Sequence, residues 1–254
     1  MVHMDNKRFS KEYEIHYYET NSFQEATPIT LLNFLEDSAI SNSASVGYGV
    51  KDLLDIGACW VLYRWFIKIY RYPMLGEKIL VQTWPSSFER FYGYRQFLAN
   101  DSEGKVILKA DSIWIFFNIH KRKPMRIPDE LAKAYHINGT KVFDEPFPDM
   151  DFDFKPNVTK DFLVRRSDID SNNHVNNKRY VDWIIETLPQ HIYENFRMTS
   201  LDIIYKKEAV IDSIIQSGCM VESEDTQNLC LAHKVSDINN GSELVAAKTV
   251  WQKK

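Results

Sequence analysis

Polar and apolar residues alternate along Phe9–Tyr18, so the chain is expected to open on a strand. Thr27-Pro28 then begins a helix: the threonine can cap free amides, and proline stands first, where its missing N–H is no loss. Ile29, Leu31, Leu32, Phe34, Leu35 and Ala39 make that helix apolar over much of its circumference, which predicts burial. Gly47–Gly57 is rich in turn residues, with a short helix over Lys51–Ile56. Strands are expected at Trp60–Arg71, Lys78–Trp84, Phe91–Asn100 and Val106–Asn118, with turns at Gly76 and Asp101–Gly104. Prolines 124, 128, 146, 148 and 156 punctuate the next stretch; a short helix is expected over Asp129–Tyr135, and the rest reads as linker.

The same order then returns. Subtracting 150 places His174 on Gln24, Asn177 on Thr27 and Glu186 on Glu36. Subtracting 136 places Glu208 on Tyr72 and Asp212 on Gly76. Subtracting 137 places Gly241 on Gly104, Ala247 on Ala110 and Trp251 on Trp114. Each half is strand, buried helix, then several antiparallel strands, which reads as a tandem duplication. The expected divisions are 5–120 and 158–254, with 121–157 between them.

Composition narrows the class. The 254 residues are 44% hydrophobic and 26% charged, an ordinary globular balance, and a net charge of −4 gives no reason to expect nucleic acid. The most apolar stretch, Cys59–Tyr70, is broken by Arg64 and Lys68 and is too short to span a bilayer, so no membrane partner is expected. No apolar signal segment opens the chain, which favours the cytoplasm. Cys59, Cys219 and Cys230 form no C-x-x-C and suit a reduced compartment. No H-E-x-x-H or clustered Cys/His motif and no G-x-S-x-G elbow is present, so neither a metal nor another cofactor is expected.

The chemistry concentrates in Arg165–Pro189, RRSDIDSNNHVNNKRYVDWIIETLP. Asp170, Asn172, His174, Asn176 and Asn177 crowd together just before an amphipathic run. In that run Tyr180, Ile184 and Leu188 share a stripe with Val181 and Ile185, while Asp182 and Glu186 lie off it. Asn176 or Asn177 is the natural cap, so the cluster sits at a helix N-terminus. There the amides near Val175, Asn176 and Asn177 can face an oxygen gaining negative charge. The plainer reading is a turn: Asp and Asn bond their own backbone, and a capped helix needs no substrate.

D-x-N-x-H-V-N-N-x-x-Y before a helix resembles the signature of the hot-dog thioesterases. With R-R-S-D-x-D ahead and W-I-x-E-x-L-P behind, the chain is similar to the acyl-acyl carrier protein thioesterases. W-V-L-x-R (60–64), T-W-P (83–85), G-Y-R-x-F (93–97), S-I-W (112–114) and R-K-P-M-R-I-P (122–128) extend the resemblance over most of residues 9–254. It implies an α+β chain of two tandem hot-dog folds, each an antiparallel sheet wrapped around a long central helix. The first would hold the acyl chain and the second would carry the catalytic set.

The resemblance also brings in Glu208, which alone would read as a surface acid beside two lysines. Plant members carry Y-R-x-E-C here, with the glutamate implicated in the site; this chain has Ala209 in place of the cysteine. That excludes a cysteine nucleophile at this position and favours attack by water. Asp170 and Asn172 would do the positioning, and either Glu208 or His174 would be the base. The implied reaction is hydrolysis of a fatty acyl thioester on acyl carrier protein, by a monomer or a homodimer. The rivals are an acyl-CoA thioesterase on the same fold, a non-catalytic acyl-binding protein, and, ranked low for want of an H-F-P-x-x-P entry, a dehydratase. Lys206, Lys207 and Arg179, or else Lys121–Lys123, are candidates for docking an acidic carrier.

Overall fold

The computed structural model describes residues 8–150, 153–170 and 173–254, together with the backbone of 2–5. Asn172, expected in the site, lies outside the described residues. The chain divides into two units, Met1–Pro146 and Phe147–Lys254.

The first unit comprises β1 (Val2–Asp5), β2 (Arg8–Glu14), α1 (Pro28–Ser45), α2 (Val50–Asp55), β3 (Ala58–Ile69), β4 (Lys78–Glu89), β5 (Tyr92–Asn100), β6 (Val106–Asn118), β7 (Lys123–Pro124) and α3 (Asp129–Ala134). Its strands pair antiparallel in the order β1-β2-β4-β5-β6-β3, with β7 also on β6. Thr27 caps α1 by accepting from the Thr30 amide at 3.2 Å, with Pro28 at the first position. The helix packs on β2 and β4, burying Leu31, Leu32, Phe34, Leu35 and Ala39.

Three sequence expectations change. The opening strand stops at Glu14, because the Glu19 carboxylate accepts the His16 amide at 2.9 Å and closes a 3₁₀ turn at Tyr17–Glu19. Strand β4 runs past Pro85 to Glu89, taking up the proline in a register shift between Pro85 and Ser87. Part of the stretch set between the halves packs on the first unit: Ile127, Leu131 and Tyr135 join Leu53, Ala58 and Phe116 in one apolar cluster.

The second unit comprises β8 (Val158–Leu163), α4 (Asn177–Glu186), α5 (Gln190–Asn195), β9 (Phe196–Tyr205), β10 (Ile214–Glu224), β11 (Asn228–Asp237) and β12 (Glu243–Lys253). Its antiparallel order is β8-β10-β11-β12-β9, with α4 packed on β10 and β11. Strand for strand this is the ladder β2-β4-β5-β6-β3 again, which bears out the duplication. The turn positions agree: Gly76 and Asp212 have φ of 77° and 64°, Gly104 and Gly241 of 82° and 67°. A side-chain bond is repeated too, Trp114 Nε1–H to Ser112 Oγ at 2.8 Å and Trp251 Nε1–H to Thr249 Oγ1 at 2.7 Å. No helix among the described residues is long and apolar enough to cross a membrane.

Candidate active site

The segment Arg165–Asn176 is a loop pinned at several points before α4 begins. The Asp168 carboxylate accepts from the Arg165 amide at 2.9 Å and from its Nε and Nη2 at 3.1 and 3.0 Å. Arg179, in the first turn of α4, places Nε 3.3 Å from the same carboxylate. Asp168 is 1% exposed. Burial would raise its carboxyl, but the Arg165 bonds and the charges of Arg165 and Arg179 outweigh that and hold it below the usual range. Asp170 and His174 then close the loop. The Asp170 amide donates to the His174 carbonyl at 2.8 Å, and Asp170 Oδ1 accepts the His174 amide at 3.3 Å. Asn173 turns the chain between them at φ 63°.

The first unit contains the same loop. The His16 amide meets the Glu19 carboxylate as Arg165 meets Asp168. Asn21 stands where Asp170 does: its amide donates to the Glu25 carbonyl at 2.8 Å, and its Oδ1 accepts the Glu25 amide at 3.1 Å. Gln24, at φ 61°, takes the place of Asn173. The Ala26 and Thr27 amides donate to the carbonyls of Pro73 and Glu19, as those of Val175 and Asn176 donate to Ala209 and Asp168. The offset through this loop is therefore 149, not 150. His174 corresponds to Glu25 rather than Gln24, and the matching caps are Thr27 and Asn176.

His174 meets Glu208 across the loop, Nδ1 lying 3.2 Å from Oε2; their side chains are 29% and 50% exposed. The two are held at this spacing by backbone, since the Val175 amide bonds the Ala209 carbonyl at 2.9 Å. The Ala209 amide in turn donates to the Tyr180 hydroxyl at 2.9 Å. Tyr180 is 1% exposed, and burial pushes its phenol up, so it stays a neutral hydroxyl. Sequence reasoning placed Tyr180 on the apolar stripe and missed this hydroxyl. It also missed Asp168, whose signal was the R-x-x-D spacing of a side chain that caps its own turn.

Of the three amides expected to receive an oxyanion, those of Val175 and Asn176 are bonded to the Ala209 and Asp168 carbonyls. The Asn177 N–H, first in α4, has no acceptor among the described residues. The Asn176 side chain caps the helix by accepting from the Lys178 amide at 3.1 Å. No group of three or more His, Cys, Asp and Glu that could hold a metal is present among the described residues. Cys219 is buried, and burial pushes its thiol up to about 11, far from a nucleophile.

Comparison with known proteins agrees with both halves of this architecture. Residues 6–135 match the acyl-ACP thioesterase N-terminal domain, and residues 153–253 the C-terminal domain of the same family. A chloroplastic palmitoyl-acyl carrier protein thioesterase of Gossypium hirsutum is 30% identical over 98% of the chain; the chain spans 65% of that protein's length. The 12:0-ACP thioesterase of Umbellularia californica superposes with a TM-score of 0.86 at 25% identity, over 99% of this chain and 100% of that one. An acyl-ACP thioesterase of Bacteroides thetaiotaomicron gives 0.84 at 26%, over 97% and 98%. With one domain model on each copy of the duplicated fold, the chain belongs to the acyl-ACP thioesterase family.

Proposed function

We propose that the chain hydrolyses a fatty acyl thioester carried on acyl carrier protein, the substrate class named for its plant and bacterial relatives. The observation that carries this reading is the His174–Glu208 pair, 3.2 Å apart beside the N-terminus of α4. A carboxylate facing Nδ1 favours the tautomer that holds its proton there, which leaves the Nε2 lone pair to act as base. His174 takes a proton from water, and the resulting hydroxide adds to the thioester carbonyl. The oxyanion is met by the Asn177 amide and the positive end of the helix. Collapse of the tetrahedral intermediate breaks the C–S bond, and the imidazolium returns its proton to the thiolate. The products are a fatty acid and the free carrier thiol. Asp170 and Asn172 position the water and the carbonyl. We assign catalysis to the second unit and recognition of the acyl chain to the first.

The test is turnover of acyl carrier protein and coenzyme A thioesters by wild type, His174→Ala and Glu208→Gln. Both variants are expected to lose activity by ~10²–10⁴-fold, the usual reach of a general base and its support. Wild-type rates in either would remove that residue from the mechanism. Faster turnover of coenzyme A thioesters would move the reading to that carrier.

A further inference from the structure

Glu208 stands on a segment whose next residue is fastened from both sides. The Ala209 carbonyl accepts the Val175 amide at 2.9 Å, and the Ala209 amide donates to the Tyr180 hydroxyl at 2.9 Å. Ala209 and Tyr180 are both buried, and a buried amide needs an acceptor. Tyr180 lies in the first turn of α4, its ring set edge-on against Trp183 and Tyr205 with centroids 5.3 and 6.0 Å away. The hydroxyl is thus a fixed point one residue from the carboxylate that faces His174 Nδ1.

The first unit makes the same turn without this bond. Its Ala26 amide donates to the Pro73 carbonyl, Ile15 to Glu77 and Glu77 to Met74, as Val175 donates to Ala209, Val164 to Ser213 and Ser213 to Val210. These bonds set Pro73 on Ala209, and the caps Thr27 and Asn176 set the buried Leu31 on Tyr180. Proline has no amide to donate and leucine no hydroxyl to accept one, so donor and acceptor are missing together. The carboxylate is missing with them, since Tyr72 stands where Glu208 does. The shared backbone bonds are enough for the turn; the added bond belongs to the copy in which a carboxylate faces an imidazole.

Resting on the reading of the chain as a thioester hydrolase in which Glu208 supports His174, we propose that Tyr180 is a positioning residue. It holds the Ala209 amide so that the Glu208 carboxylate stays within hydrogen-bond reach of His174 Nδ1. The Glu208 side chain is 50% exposed, so packing steers it little and the backbone beneath it sets where the carboxylate can swing. A displacement of ~1 Å at such a group can cost ~10²-fold in rate.

The experiment is a double-mutant cycle: kcat and KM on an acyl carrier protein thioester for wild type, Tyr180→Phe, Glu208→Ala and the two combined, with a urea midpoint for each. Tyr180→Phe keeps the ring and removes the hydroxyl. It is expected to lower kcat by ~10–10²-fold with KM within about two-fold of wild type. In Glu208→Ala, which has no carboxylate to place, the same change is expected to cost less than about two-fold, because groups that act through one another do not add. Tyr180→Phe/Ala209→Pro removes donor and acceptor together, as the first unit does; its urea midpoint should lie above that of Tyr180→Phe while kcat stays low. A Tyr180→Phe kcat within about two-fold of wild type overturns the proposal. So does an equal fall with and without Glu208, or turnover that recovers with stability in the proline variant, since either makes the hydroxyl a stability bond alone. Wild-type turnover in Glu208→Ala overturns it too, while leaving the hydrolase reading intact. Wild type that hydrolyses neither acyl carrier protein nor coenzyme A thioesters defeats the hydrolase reading and the proposal with it.

Discussion

Asn21 and Asp170 each donate a backbone amide to a carbonyl four residues on, and each accepts that residue's amide on its side-chain oxygen. Around them the backbone hydrogen bonds of the loop 16–27 recur among the described residues of 165–176. Only side-chain identity separates the two: Asn21, Glu25 and Tyr72 in the first unit, Asp170, His174 and Glu208 in the second. The backbone of the site is thus a scaffold that folds without catalytic residues, so neither the turn nor the cap is evidence of chemistry. What is particular to the second copy is His174, standing where Glu25 does, with Nδ1 facing the Glu208 carboxylate; the first loop's imidazole–carboxylate contact, His16 Nδ1 to Glu19 Oε2 at 3.1 Å, lies within the 3₁₀ turn instead.

The sharpest way to break the comparison is to exchange residues along it. Asp170→Asn should keep the loop, since Asn21 makes the same bonds. Its stability should stay within about 0.5 kcal/mol, as for substitutions that leave the local bonding in place. Turnover should nonetheless fall by ~10²–10⁴-fold if the carboxylate charge serves the reaction. His174→Glu, which copies Glu25, should fall as far. A folded Asp170→Asn protein with full activity would reduce Asp170 to a turn residue.

A smaller effect is expected in the first unit. Ala39 is 6% exposed on the face of α1 that packs against the sheet. If this unit receives the acyl chain, Ala39→Phe should shorten the preferred chain. Losing contact with two methylenes, ~0.8 kcal/mol each, is a roughly fifteen-fold change in discrimination. The fatty acids released from a mixed pool of carrier-bound chains report it; a uniform fall at every length would place the tail elsewhere.

How far all this was legible depended on the kind of signal. The cap at Thr27, the strand Val106–Asn118 and the turns at Gly104 and Gly241 rest on local chemistry, and each stood where the sequence put it. The loop offset slipped by one because Asn176 and Asn177 are equally good caps by composition. Only the backbone, extended at Asn176 and helical at Asn177, separates them. Arg95 was illegible for a different reason. It is 7% exposed and donates to Asn42 Oδ1 at 2.9 Å and Thr83 Oγ1 at 3.1 Å, partners that strand alternation cannot supply. One of them lies on α1, 53 residues earlier.

The pH dependence of stability should differ in sign between the units. Burial pushes the Asp111 carboxyl of β6 up to about 6, against the Gln96 bond, so its contribution is present below the ordinary carboxylate pKa and lost as pH rises through about 6. Burial pushes His233 of β11 down to about 3, so its contribution is present above the ordinary 6.5 and lost as pH falls toward about 3. Between roughly pH 4 and 6 the two oppose each other. His233→Phe, which copies Phe97 at the matching ladder position, should make urea midpoints fall more steeply with rising pH in that window, and Asp111→Asn should do the reverse. Variant curves parallel to wild type would dismiss either group. The smallest effect belongs to Glu25→Gln, for which turnover within about two-fold of wild type is expected if catalysis belongs to the second unit, as proposed.

Arg95 has a consequence for how the chain assembles. Strands β5 and β11 hold the same slot in their ladders: Arg95 pairs with Ser112, and Leu231 with the matching Thr249. A nascent chain with two copies of one ladder can seat a strand in the wrong copy, a recurrent failure of tandem repeats. Were β11 to take the slot of β5, Leu231 would replace the guanidinium, and Asn42 Oδ1 and Thr83 Oγ1 would lose its hydrogen bonds. Each buried group left unsatisfied costs ~1–3 kcal/mol. Were β5 to take the slot of β11, the cation would be buried without Asn42 or Thr83. The polar contact that ties α1 to its own sheet therefore also sorts two strands that hold equivalent slots during folding. Arg95→Leu should then show itself less in the melting point of the finished protein than in the yield of correctly paired chains on refolding.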